Sequence, residues 1–364
     1  MSTQCSYLYG IMPADAAKDF GAIGVDGGDV RAVPCGAVAM VTSPAEHVDF
    51  TRLPPERTLR YLAEHQRVLE RVMADTAVIP LKFGTFADDD RQVLGILESG
   101  QAEFGQALDK YAGKLELDLV ASWADLQAVL AEIAADRAVL AMKAEISAHG
   151  EATMEQRVRL GQLVKRLLDE RRERIAAELV VALRAKWPNI VVNPTKDDSM
   201  ILNAAVLVGR DEELRFDEFI DQLNRNYGDR LNFRYVGPLP PYSFATAEVK
   251  PVETGKLEAA RRLLGLDESA RLGEIKAAYR RLVQEVHPDR NPDADAAERM
   301  KDLVAAHELL EEYTLNCKRT PRPGRGKPVI VKVRTLPELR AAAGVSKRPA
   351  ERSERLELLG AEAI

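Results

Sequence analysis

The residue types that could carry bond-making chemistry are few in this chain, and they are scattered. Five histidines (His47, His65, His149, His287, His307) and three cysteines (Cys5, Cys35, Cys317) include no CxxC pair and no His at metal-ligand spacing. A metal site needs several N, S or O ligands converging on one point, so neither a metal nor a cofactor is expected. His47, His65, His149 and His307 read as surface or packing residues. The run Asp88, Asp89, Asp90 fits the solvated start of a helix, where carboxylates oppose the positive end of the helix dipole. The GDV and GRG fragments lack the strand-to-helix context of a phosphate loop. No set of nucleophile, base and metal ligands assembles, so no enzymatic activity is expected. Two segments stand out instead for their residue types and spacing. One is the loop triplet His287-Pro288-Asp289, with Lys276, Arg280 and Arg281 just before it. The other is a proline-aromatic run over residues 234–244.

Composition bounds what those segments can serve. At 364 residues the chain is too long for one ordinary domain. Its 46% hydrophobic content suffices for real cores, while a net charge of −6 argues against nucleic acid as a main partner. The N-terminus has no basic start followed by an apolar run, so no signal peptide is expected. No stretch reaches the roughly 18–20 apolar residues that span a bilayer, so no membrane is expected. The sparse, odd cysteine set fits a reducing compartment, and a cytoplasmic protein is expected.

The elements that must position these segments begin with a strand over 5–11 that ends at Pro13, a Gly/Asp-rich loop over 21–29 and a short strand over 38–41. Pro54-Pro55 precedes a helix over 56–74, with Leu59, Leu62, Val68, Leu69 and Val72 at helical spacing. Residues 76–86 read as a strand broken at Pro80, which lacks an N–H and belongs at an edge or bulge. A helix over 91–110 and an alternating strand over 114–123 follow. This mixture without βαβ repetition makes residues 1–121 an α+β domain.

Residues 122–247 form a second domain. Residues 138–146 read as a strand and 151–187 as a long charged helix with a stripe of Val158, Leu163, Leu167, Ile175, Leu179 and Leu183. Such a helix is expected to project or to pair as a short coiled coil. Strands over 189–193 and 200–208, a helix over 216–227 and a strand over 231–237 complete the order β-α-β-β-α-β. That order is the ferredoxin-like, split βαβ pattern.

The proline-aromatic run is a strand bearing Tyr235, broken at Gly237-Pro238, then a rigid Pro240-Pro241 element anchored by Tyr242 and Phe244. X-Pro steps fix an extended path and so hold the aromatic rings at set positions. On residue chemistry alone this is a stiff, domain-ending turn. It nonetheless resembles the signature of the gas vesicle GvpL/GvpF family, through Arg234, Tyr235, Gly237, Pro238, Pro240, Pro241, Tyr242 and Phe244. The opening YLYGI (7–11) resembles that family's first strand. Residues 65–86, with Pro80, Phe83 and Gly84, resemble its central helix and following strand. The resemblance covers about residues 5–247. It implies a two-domain α+β protein that helps to build the gas vesicle and contacts its major shell protein and other gas vesicle proteins; it supplies no catalytic residues.

After a polar linker at 248–255, residues 256–315 read as helices over 257–264, 272–286 and 294–312. Ile275, Tyr279, Leu282 and Val286 share one face of the second, with Lys276, Arg280 and Arg281 exposed; Met300, Leu303, Ala306 and Leu310 face inward from the third. The loop HPDRNPD lets these two helices pack antiparallel. The set LLGL (263–266), EIKAAYRRL (274–282) and His287-Pro288-Asp289 is similar to the J-domain of DnaJ-type co-chaperones. The resemblance implies docking on a DnaK-type chaperone, with Lys276, Arg280 and Arg281 steering the encounter and His287 and Asp289 making the critical contacts. Glu285-Val286, where many J-domains carry a basic and an aromatic residue, removes positive charge from that face. Met300 and His307 replace common Phe and Tyr core positions.

Residues 316–364 form a tail. The stretch 318–334, basic and rich in Pro and Gly, reads as a mobile tether whose VIVKV core can add as a strand to a partner edge; 346–364 reads as a marginal helix. Two functions follow. One is a gas-vesicle-associated assembly or minor structural protein that recruits a DnaK-type chaperone. The alternative is a general J-domain co-chaperone whose N-terminal two thirds bind varied clients.

Overall fold

A computed structural model describes residues 4–148, 151–286, 296–318 and 328–342. The chain divides into two compact units, one formed by residues 1–113 and 240–364 and the other by residues 114–239.

The first unit opens with β1 (Gln4–Pro13), β2 (Asp19–Gly21), β3 (Val30–Cys35), β4 (Val38–Glu46), α1 (Pro55–Met73), β5 (Ile79–Pro80), β6 (Phe86–Ala87) and α2 (Asp90–Tyr111). The strands form an antiparallel sheet in the order β2-β3-β4-β1-β5, with β6 also on β1. α1 starts with proline at its first turn, where a missing N–H costs nothing. The buried face of α1 runs Thr58, Tyr61, His65, Val68, Leu69 and Val72, so the expected stripe is rotated and Leu59 stands half exposed. Pro80 pairs with Gly10 at the rim of the sheet. The acidic run caps α2: Asp89 accepts a hydrogen bond from the Gln92 N–H at 2.9 Å.

The second unit contains β7 (Lys114–Trp123), α3 (Leu126–Ala134), α4 (Arg137–Ala148), α5 (Met154–Arg184), β8 (Ile190–Asn193), β9 (Met200–Gly209), α6 (Glu213–Tyr227) and β10 (Leu231–Leu239). Its four strands are antiparallel in the order β10-β7-β9-β8. Alternation along β7 puts Leu115, Leu117, Leu119, Ala121 and Trp123 into one core with Phe216, Phe219 and Leu223 of α6 and Leu179 and Leu183 of α5. Each buried Leu or Phe side chain among these is worth about 1.5–3 kcal/mol.

Several expectations are corrected here. Residues 138–146 form helix α4, not a strand: Asp136 accepts from the Ala138 N–H at 2.8 Å at its start, and Ala, Leu, Met, Lys and Glu are strong helix formers. The first strand of this unit is β7, and the boundary expected at 121/122 falls inside it. α5 packs against α3, α4 and β9. It is capped by the reciprocal Thr153–Gln156 bonds at 3.2 and 2.9 Å.

The chain returns to the first unit at Pro240 and adds β11 (Thr246–Pro251), α7 (Thr254–Leu264), α8 (Leu272–Val286), α9 (Ala296–Lys318), β12 (Val329–Arg334) and α10 (Leu336–Ala342). The linker expected at 248–255 is strand β11 and the start of α7. The stretch expected to be a mobile tether contains β12, which pairs antiparallel with β11 from Pro251↔Val329 to Thr246↔Arg334. Residues 346–364 lie outside the described residues. Among the described residues, no helix is long and apolar enough to cross a membrane.

Candidate functional site

The proline-aromatic run is the end of β10 together with the chain that follows it. In the second unit, Arg234 is exposed, and Tyr235, 36% exposed, donates its hydroxyl hydrogen bond to Asp217 of α6. That bond holds the phenolic proton and pushes the Tyr235 pKa up to about 12. The Phe216 ring meets Tyr235 edge-on at 5.3 Å. The Gly237–Pro238 peptide is cis, and Gly237 has φ 152°. A Cβ built there would lie 2.5 Å from Leu117 Cδ2 and 3.0 Å from the Glu116 carbonyl oxygen. Backbone thus approaches β7 where only glycine fits.

In the first unit, Pro240 and Pro241 are buried, and the chain turns tightly: the Tyr242 N–H donates to Pro240 O at 2.7 Å and the Ala245 N–H to Pro241 O at 2.8 Å. The Tyr242 hydroxyl reaches Gln66 Oε1 of α1 at 2.5 Å, and the Tyr111 hydroxyl of α2 donates to Phe244 O at 2.9 Å. These bonds fasten the run to α1 and α2.

Phe83 and Gly84 close over an aromatic cluster absent from the sequence reading. Tyr7 lies 4.8 Å from Tyr9, 5.1 Å from Phe86 and 5.7 Å from His65, while Phe83 packs on Phe50 at 4.6 Å. The Gly84 N–H donates to Tyr7 Oη at 3.2 Å, and Tyr7 Oη lies 3.0 Å from His65 Nδ1. This contact occupies Nδ1 of the imidazole and leaves Nε2 as its second nitrogen. That atom is buried and finds no partner among the described residues. Burial pushes the His65 pKa down to about 3 and the Tyr7 pKa well up. His65 sits four residues after Tyr61 on the buried stripe of α1, and this was the only signal the sequence offered.

The second unit holds a further buried charge. Asp118 shares a hydrogen bond with Glu116, two residues along β7, while its Oδ1 meets no donor among the described residues. Burial raises its pKa from 3.8 to about 6. The folded unit keeps this proton where the unfolded chain has released it, so its stability falls as pH rises from 3.8 through about 6. Asp118→Asn is expected to remove this slope and to raise the urea midpoint above pH 6. Trp123 and Trp187 both lie in this unit, so tryptophan fluorescence reads its unfolding alone. A slope that survives in Asp118→Asn would assign the titration elsewhere.

The helical module packs on most of the expected faces, though Met300, expected to face inward, is not part of its buried cluster. Ile275, Ala278, Leu303, Ala306 and Leu310 are buried in one cluster with Leu257 and Leu264, and α7 stops at Gly265 in the left-handed conformation. Tyr279 stacks on His307 at 4.2 Å, so the His at that core position is used as a flat ring. Of the three basic residues on α8, Arg280 and Arg281 are exposed, whereas Lys276 is paired with Glu311 of α9 at 2.8 Å. That pairing holds the Glu311 carboxyl below its ordinary range. His287, Pro288 and Asp289 lie outside the described residues. Among the described residues, no group of three or more His, Cys, Asp or Glu is placed to hold a metal ion.

The family model "Gas vesicle synthesis protein GvpL/GvpF" matches residues 5–246, and the model "DnaJ domain" matches residues 262–315. Gas vesicle protein F of a Streptomyces species is 32% identical over 243 residues, covering 66% of this chain and 98% of that protein. The crystal structure of gas vesicle protein GvpF from Anabaena sp. PCC7120 aligns with a TM-score of 0.55 at 25% identity, covering 67% of this chain and 98% of that one. Chaperone protein DnaJ of an Exiguobacterium species is 48% identical over 50 residues, which are 14% of each protein. The chain therefore belongs to the gas vesicle GvpL/GvpF family, and it carries a DnaJ domain behind the family region.

Proposed function

We propose that this protein acts in gas vesicle assembly, as a cytoplasmic, vesicle-associated assembly or minor structural component that contacts the major shell protein and recruits a DnaK-type chaperone through its DnaJ domain. The observation that carries the reading is the presence, on one chain, of a GvpL/GvpF region and a DnaJ domain. A highly apolar shell subunit aggregates unless its exposed patches are handled before assembly, and a chaperone brought by the same protein would meet that need. Arg280 and Arg281, exposed on α8, would steer the chaperone encounter, with a rate that falls as salt rises. Lys276 would contribute less, since Glu311 already neutralises it. His287 and Asp289 would make the main contacts. For the second unit we favour the ferredoxin-like description, with β7 as its first strand; the order β10-β7-β9-β8 supports it. Residues 234–244, with Pro80, Phe83 and Gly84, would serve as structural anchors of the family region and not as a binding site.

The test uses purified components. The full chain is expected to retain the major gas vesicle shell protein in a pull-down and to stimulate the ATPase of a DnaK-type chaperone. His287→Gln should leave the circular dichroism spectrum unchanged and reduce stimulation at least about tenfold, the loss expected of a hot-spot contact. Stimulation without shell-protein binding, together with protection of unrelated aggregation-prone proteins, would favour the general co-chaperone reading. Shell-protein binding without stimulation would leave only the assembly role.

A further inference from the structure

The strand β12 lies outside both regions matched by known families, which end at residues 246 and 315. Within the first unit it is nevertheless among the most deeply buried segments, with Val329, Ile330 and Val331 at 5%, 3% and 0% exposure. A strand surrounded on its two faces must satisfy two different neighbours, because successive side chains point in opposite directions. Ile330 belongs to the apolar cluster of the DnaJ domain, with Leu257, Leu264, Ile275, Leu303 and Leu310. Lys332, on the same face, ion-pairs with Glu312 of α9. The opposite face, Val329 and Val331, is left to α2 of the family region, which packs against β12. From α2, Glu103 also accepts the Val333 N–H at 2.6 Å. One edge of β12 pairs along its whole length with β11. β11 in turn meets the family region through the Leu81–Ala247 bridge, with the Lys82 N–H donating to Ala247 O at 2.9 Å. Just beyond β12, the Leu336 N–H donates to Ser243 O at 3.0 Å, inside the proline-aromatic run.

We propose that residues 328–336 are an intramolecular clasp. The edge of β11, α2 with Glu103 and α9 with Glu312 together form a surface that accepts an extended V-I-V-K-V strand, and this chain fills it with its own C-terminal segment. The clasp holds the DnaJ domain at a fixed orientation on residues 5–113 of the same unit, where two strand faces and one strand edge must all be released before the domain can move. Taken with the chaperone-recruiting role proposed above, on which this consequence rests, the clasp presents a DnaK-type partner at a set position relative to the sheet and helices of residues 5–113.

The test needs no chaperone. In the full chain with Cys5, Cys35 and Cys317 replaced, nitroxide labels are placed at the exposed positions 70 on α1 and 258 on α7, and their distance distribution is measured by pulsed electron resonance. The wild-type background is expected to give one narrow distribution. Val331→Asp should broaden it several-fold. Lys332→Glu, which leaves the buried faces intact, should broaden it in part, and adding Glu312→Lys should restore the narrow form. A broad distribution in the wild-type background, or a narrow one in both Val331→Asp and Lys332→Glu, would overturn the clasp. A dimer that Val331→Asp converts to monomer would place the strand of a second copy in the surface and overturn its filling in cis. ATPase stimulation of a DnaK-type chaperone, measured alongside, should stay within about twofold in Lys332→Glu. No stimulation even in the wild type would remove the recruiting role and leave the distance result to judge the clasp alone.

Discussion

Replacing Gly237 by alanine is expected to destabilise the 114–239 unit by about 3–5 kcal/mol, the sum of a backbone and a packing penalty. Its φ of 152° lies where a side chain is strained in any surroundings. The added methyl would also sit 2.5 Å from Leu117 Cδ2 and 3.0 Å from the Glu116 carbonyl oxygen. Leu117 belongs to the buried core and the carbonyl to the β7 backbone, so neither yields as an exposed side chain would. At an m-value of about 1.5 kcal/mol/M, the urea midpoint followed by tryptophan fluorescence should fall by about 2 M or more. Gly161 gives the control with the opposite sign. It lies exposed inside α5 with nothing within 4 Å of its Cβ position, so Gly161→Ala should stabilise by up to about 1 kcal/mol. Equal midpoints for the two variants would sink the argument.

Acid should unfold the first unit through His65. This imidazole is neutral in the folded chain down to about pH 3, while in the unfolded chain it takes up a proton near its ordinary value of 6.5. The stability that neutral burial permits is therefore complete above pH 6.5 and drains away as pH falls towards 3. A shift of this size corresponds to about 4–5 kcal/mol, a large part of the roughly 5–15 kcal/mol that holds a domain folded. Tyr7, Tyr9 and Phe83 pack around the ring, and burial is what lowers its pKa. Amide exchange in β1 and α1 should show the loss, since those elements carry Tyr7 and His65. His65→Gln keeps an acceptor for the Tyr7 hydroxyl and cannot titrate. It should cost about 1–2 kcal/mol at pH 7 from altered packing and flatten the profile between pH 6.5 and 3. A wild-type profile with no slope in that window would refute the assignment. The two units thus respond to pH in opposite directions, since Asp118 favours the second unit at lower pH.

Much of the local architecture is legible in the residue order, because the signals are local. Pro54-Pro55 opens α1, Asp89 caps α2, and the 3.6-residue spacing of Ile275, Tyr279 and Leu282 marks α8. The rigid path of the proline-aromatic run follows from X-Pro geometry alone. Where local signals conflict, the sequence misleads: the apolar stretch 138–146 reads as a strand, but Asp136 caps a helix made of good helix formers.

What the tertiary structure decided is partnership. Nothing within β7 says whether it pairs with strands before or after it, and its pairing with β9 and β10 sets the boundary of the second unit. VIVKV has the β-branched composition of a strand, yet only β11 on its edge, the DnaJ core on one face and α2 on the other make it part of the fold. The buried state of His65 depends in the same way on Tyr7, more than fifty residues away in the chain. Periodicity and capping are properties of a few consecutive residues, and the chain alone determined them. Strand pairing, and the burial that shifts a proton equilibrium, depend on distant segments meeting, and only the folded structure determined those.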